Sequence, residues 1–139
     1  MIRGYPARAS LAPGERLVLH IATDAPRFRV RFLRWGDGFR LMHESLWLPG
    51  KDAPEGSADL DWQWPDYAFD IPASWHSGVY VAHLQEPQAT ALALGIDRAA
   101  ALFVVRGPGR NPLLYKLPLA TYHAYNCSGG ACFYLDPPR

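Results

Sequence analysis

Apolar and polar residues alternate with a period of two along much of the chain. The cleanest stretch is Arg27-Phe28-Arg29-Val30-Arg31-Phe32, in which every second residue is apolar and every other one is arginine. Only a strand with one buried and one wet face sorts its side chains this way. Residues 16–22 repeat the pattern, with Leu17, Leu19 and Ile21 sharing one side. Residues 7–11 read as a short edge strand, closed by the turn Ala12-Pro13-Gly14-Glu15. Further strands are expected at 67–71, 79–84 and 101–106. Residues 39–48 return from the tight connection Trp35-Gly36-Asp37-Gly38-Phe39, whose glycines tolerate positive φ. Residues 59–64 set Asp59, Asp61 and Gln63 against Leu60, Trp62 and Trp64, which predicts one more short strand.

Some seven short strands and no long helix before Arg106 argue for an antiparallel β-sandwich. The segment Pro72 through Gly78 carries the chain round a corner. The tyrosine that follows, Tyr80, stands where immunoglobulin-like sandwiches place a tyrosine corner. Residues 87–101, rich in Ala and Leu, fit either a helical turn or a loop. Gly107-Pro108-Gly109-Arg110-Asn111-Pro112 is a clear break. The expected organisation is therefore an immunoglobulin-like sandwich over 1–110 and a tail over 111–139.

Composition narrows the function. Fourteen basic residues against thirteen acidic leave a net charge of +1, too little to supply the positive field that phosphate backbones reward. No nucleic-acid partner is expected. No stretch approaches the ~20 apolar residues that span a bilayer, so no membrane partner is expected either. The start of the chain has no apolar leader, and the two cysteines, Cys127 and Cys132, lie close together, which is no disulfide framework. A cytoplasmic location is the plain expectation.

Three stretches, in order, resemble the N,N-dimethylformamidase large (beta) subunit family. They are Ile2-Arg3-Gly4-Tyr5 with Ala9-Ser10-Leu11-Ala12-Pro13-Gly14-Glu15; Tyr67-Ala68-Phe69-Asp70-Ile71-Pro72 through Ser77-Gly78-Val79-Tyr80; and Leu102-Phe103-Val104-Val105 followed by Pro112-Leu113-Leu114-Tyr115 and Ala120-Thr121-Tyr122-His123-Ala124-Tyr125-Asn126. The resemblance implies an amidohydrolase that cleaves small formamide-type bonds at an iron held by two tyrosines and a glutamate. It implies a β-rich segment preceding an amidotransferase-like α/β catalytic domain. The iron-ligand role maps onto Tyr125 alone, and the other two ligands have no counterpart in this chain. A lectin-like insertion of larger members also has no counterpart. The expectation is a non-catalytic sandwich followed by the first element of a truncated catalytic domain. No cofactor is expected in this chain, and iron belongs to the full-length relatives. The implied partners are the missing catalytic domain or other subunits, with self-association left open.

The residues offer alternatives. Trp62, Trp64, Tyr67 and Trp75, with Asp59, Asp61 and Asp66 nearby, have the chemistry of a carbohydrate-binding sandwich, in which rings stack on sugars and carboxylates take hydroxyls. The competing reading is that these rings fill the core. His123, Cys127 and Cys132 lack the spacing and fourth ligand of a zinc site. Ser128-Gly129-Gly130 reads as a turn before it reads as an anion nest. Arg27, Arg29, Arg31 and Arg34 read as a solvated strand face. His20 and His83 fall opposite the inward-facing sets of their strands, at surface or inter-sheet positions.

Overall fold

The computed structural model describes residues 1–54, 62–87, 99–110, 112, 114, 116 and 118–125. The strands, in chain order, are β1 (Arg3–Pro6), β2 (Ser10–Leu11), β3 (Arg16–Ala22), β4 (Arg27–Gly36), β5 (Gly38–Glu44), β6 (Leu48–Pro49), β7 (Asp66–Asp70), β8 (Gly78–Gln85) and β9 (Ala100–Val105). A six-residue helix, α1 (Leu119–Ala124), follows. Among the described residues the protein is all-β up to that helix.

Two sheets enclose one core. The smaller has the order β1-β3-β7, and the larger β2-β9-β8-β4-β5, with β6 also paired to β4. Leu17, Leu19 and Ile21 from β3 meet Phe28, Val30 and Phe32 from β4 and Tyr80, Ala82 and Leu84 from β8, all buried. The alternation that predicted the strands is thus what divides core from surface. Phe32 is central, with edge-on contacts to Phe69, Trp75 and Phe103 at centroid distances of 5.2, 5.9 and 6.2 Å. Edge-to-face rings let the quadrupoles attract while the apolar area is removed from water.

The corner at β8 forms as expected. The Tyr80 hydroxyl donates to the His76 carbonyl at 2.8 Å, and the fully buried ring stacks on Trp75 at 4.8 Å with 6° between planes. The turn after β2 also forms: Gly14 has φ +85°, Glu15 N–H donates to the Ala12 carbonyl, and Ala12 N–H donates to the Glu15 carboxylate.

Five features differ from expectation. The sheets are not wholly antiparallel, because β2 runs parallel to β9, pairing Ser10 with Val104 and Leu11 with Val105. The strand expected at 7–11 forms only at Ser10–Leu11, as β2 alongside β9; residues 7–9 are bent, and the pairing with β3 is made earlier, by β1 at Arg3–Pro6. Residues 62–65 are not strand, since Gln63 adopts φ +49°, outside the extended region. The remainder of that expected strand, 59–61, lies outside the described residues, as does most of the 87–101 segment. The 39–48 strand is shorter, ending at Glu44. Ser45 there turns back on β4, donating its N–H to Val30 O and accepting from Val30 N–H through its hydroxyl. Finally, His83 is only 5% exposed, on the outer side of β8 between Arg31 of β4 and Ala100 of β9.

Candidate functional site

The aromatic residues proposed for ligand contact separate into two places. Tyr67 and Trp75 belong to the core. Tyr67 packs edge-on against Phe28 at 4.8 Å and donates its hydroxyl to the Pro49 carbonyl at 2.7 Å. Burial pushes the hydroxyls of Tyr67 and Tyr80 above the ordinary phenol value, because the phenolate loses its hydration there. Neither Tyr67 nor Trp75 presents a ring face to solvent.

Trp62 and Trp64 gather instead on the outer side of the small sheet. Their rings lie 5.1 Å apart, and Tyr5 touches both, at 5.5 Å to Trp62 and 5.4 Å to Trp64. The β1–β3–β7 register sets Tyr5, His20 and Asp66 in one row. The Tyr5 and His20 rings are 4.8 Å apart, and His20 Nδ1 lies 2.7 Å from Asp66 Oδ1. The Arg3 guanidinium covers the Trp64 ring at 5.2 Å, a cation–π arrangement. Trp64 is 2% exposed at the centre of the cluster, while Arg3, Tyr5, His20 and Trp62 around it are half-buried. Asp66 joins the cluster through His20. Asp59 and Asp61 lie outside the described residues.

The arginines of β4 do more than face solvent. Arg29 and Arg31 both hold Glu44 of β5, Arg31 through Nε at 3.0 Å, and Arg29 Nε also donates to Gln85 at 2.8 Å. Trp47 lies beneath two guanidiniums, with Arg27 at 5.2 Å and Arg29 at 5.0 Å from its ring centre. Arg34 falls on the other face, opposite Tyr80, and its Nη2 donates to Ser77 O at 3.1 Å. Farther along the outer face, Trp35 and Phe39 stack at 5.5 Å, and together with Leu41 they are 49%, 40% and 47% exposed. Sequence reading missed this apolar group. Its signal is the pair Trp35 and Phe39 flanking Gly-Asp-Gly, which a hairpin must bring side by side.

Tyr125 follows α1 and is 63% exposed, its N–H donating to the Thr121 carbonyl at 3.2 Å. The backbone of His123 lies in α1. Asn126, Cys127, Ser128, Gly129, Gly130 and Cys132 are outside the described residues. Among the described residues no three His, Cys, Asp or Glu side chains converge to hold a metal, and no helix is long and apolar enough to cross a membrane.

A family model described as N,N-dimethylformamidase beta subunit-like, C-terminal, matches residues 28–139. The chain belongs to this family. The dimethylformamidase-like match opens at the second residue of β4. It takes in every later strand and the helix before Tyr125, while β1, β2 and β3 precede it. The Tyr5–His20 half of the aromatic cluster therefore lies ahead of the matched stretch, and the Trp62–Trp64 half lies within it. No curated protein matches the sequence.

Proposed function

We propose that this chain is the non-catalytic β-sandwich portion of a dimethylformamidase-like iron amidohydrolase. The full enzyme of this reading cleaves the C–N bond of small amides. The sandwich supports the catalytic portion and hands the chain over to it through the 111–139 segment. The observation in support is the extent of the family match, which runs unbroken from β4 through the core strands to the segment carrying Tyr125.

In this reading Tyr125 is one of the iron ligands. A ferric ion favours hard anionic oxygen donors, and a phenolate is one. Tyr125 contributes a single such oxygen at an exposed position. One donor does not make a metal centre, so the described residues do not fit a complete iron site, and no step of amide hydrolysis is assigned to this chain.

Two measurements on the purified chain test the proposal. Metal analysis by mass spectrometry is expected to find iron well below one equivalent. Incubation with N,N-dimethylformamide is expected to release no dimethylamine above the buffer rate. Chelator-sensitive turnover by the chain alone would overturn the scaffold reading.

A further inference from the structure

We propose that the open edge of β5 is a docking site for an extended segment of another polypeptide, one that carries an acidic residue between two apolar ones. This goes beyond the scaffold role, because it names where a partner binds and the chemistry that recognises it.

The edge is available. β5 pairs with β4, and among the described residues no strand pairs with its other side. A row of N–H and C=O groups therefore faces outward, and such a row is a template for strand addition. The usable length is set by the strand itself. Phe32 pairs with His43 while Leu33 pairs with Leu41, so Met42 is an inserted bulge residue. Phe39 through Leu41 is the regular stretch before it, since Gly38 has φ +97°.

The side chains of that stretch state what fits. Phe39 and Leu41 stand opposite Trp35 and Leu33 on the outer face. Their exposed apolar surface gains from apolar residues on an added strand. Arg40 points to the opposite face, directly across from Arg34. Like charges in opposed positions destabilise a ladder. Among the described residues no carboxylate pairs with either arginine, since Arg34 engages only the Ser77 carbonyl and Arg40 is exposed. An incoming Asp or Glu opposite Arg40 supplies the missing charge, and its two neighbours then land beside Phe39 and Leu41.

A second copy of β5 fits poorly. The antiparallel register that sets Phe39 against Leu41 in both copies also sets Arg40 against Arg40. Registers that extend past Met42 oppose an outward residue to an inward one, because the bulge reverses the alternation. A register centred on Phe39 sets Arg40 against Gly38 and leaves its charge unanswered, so the occupant that meets both the apolar pair and the charge is a different segment.

The test uses the whole chain and a short fluorescein-labelled peptide, Lys-Thr-Thr-Val-Glu-Val-Thr-Thr-Lys, titrated by fluorescence anisotropy. A control peptide carries Lys in place of Glu. The Glu peptide is expected to bind about fivefold more tightly than the control, as one cross-strand ion pair warrants. Arg40→Glu is expected to invert that order, and Arg40→Gln to level it. Both variants should melt no lower than the parent, because Arg40 is exposed and its replacement removes the like-charge opposition to Arg34. Amide exchange is expected to slow at residues 38–41 when the Glu peptide is bound. Equal binding of the two peptides, binding of neither, or protection confined to other strands overturns the proposal. So does a dimer of the chain that Arg40→Glu dissociates, since the edge would then be occupied by a second copy.

Discussion

Replacing Tyr80 separates the two ways in which the corner at β8 contributes to stability. Tyr80→Phe removes one hydrogen bond, the 2.8 Å donation to the His76 carbonyl, and leaves the ring in place. His76 is exposed, so water can reach the carbonyl that loses its donor. The loss should therefore lie near the ordinary net value of a neutral hydrogen bond, about 1 kcal/mol. Tyr80→Ala removes the ring as well. That ring is fully buried, stacked on Trp75 at 4.8 Å and on Phe103 at 5.6 Å. Emptying such a site costs about 3–5 kcal/mol, the range for deleting a large aromatic from a core. Urea unfolding followed by tryptophan fluorescence measures both, provided the slopes of the transitions match. For a domain of this size the Phe variant should melt roughly 4 °C below the parent. The reasoning fails if Phe costs as much as Ala, which would make the hydroxyl the dominant contact. It fails equally if Ala costs no more than Phe should, which would mean the ring packs loosely.

Other predictions follow from particular contacts. In Gly50→Ala the new Cβ would lie 1.9 Å from the Ala25 carbonyl oxygen and 2.9 Å from Thr23 Cγ2. Backbone must move, so the variant should lose about 2–3 kcal/mol in a thermal or urea melt; an unchanged midpoint would refute the close approach. Tyr67 and Tyr80 have hydroxyls raised above 10 by burial. The unfolded chain ionises first as pH rises, so their contribution is intact below about pH 10 and is lost above it. Denaturation midpoints should fall steeply there, and Tyr80→Phe should soften the fall. Glu44→Gln leaves the half-buried guanidiniums of Arg29 and Arg31 adjacent without their shared carboxylate. It should cost about 1 kcal/mol at low salt, shrinking in roughly 1 M NaCl as screening takes over. A salt-independent difference would show that the pair acts through packing.

Most of the strands were legible because one face is buried and the other is not. Leu17, Leu19, Ile21 and Phe28, Val30, Phe32 declare this directly, and Tyr80 after Ser77-Gly78 declares the corner. What was not legible depends on partners distant in the chain. Nothing near Ser10 indicates that it will lie beside Val104 in the same direction. The bulge at Met42 and the left-handed turn at Gln63 are single-residue departures that alternation alone cannot show. The aromatic cluster mixes the two cases: Trp62 and Trp64 stood out by type, but Tyr5, His20 and Asp66 reach them only through the register of three strands. Tyr67 and Trp75 looked alike in sequence to Trp62, yet parity along β7 sent Tyr67 inward and the corner before β8 did the same for Trp75. Tyr125 was singled out by family resemblance, since an exposed phenol after a six-residue helix has no local mark of function.

The parting of the first segment at Pro6 has a kinetic consequence. Ser10 and Leu11 take their partners from Val104 and Val105, some 94 residues later in the chain (104 − 10). During synthesis this short strand has nothing to pair with until β9 has emerged, so the larger sheet acquires its last strand late. Contacts of such long range slow folding, because the entropy of closing the loop is lost before the ladder is gained. Changes that weaken this contact, such as Leu11→Ala, should therefore speed unfolding while leaving the folding rate almost untouched.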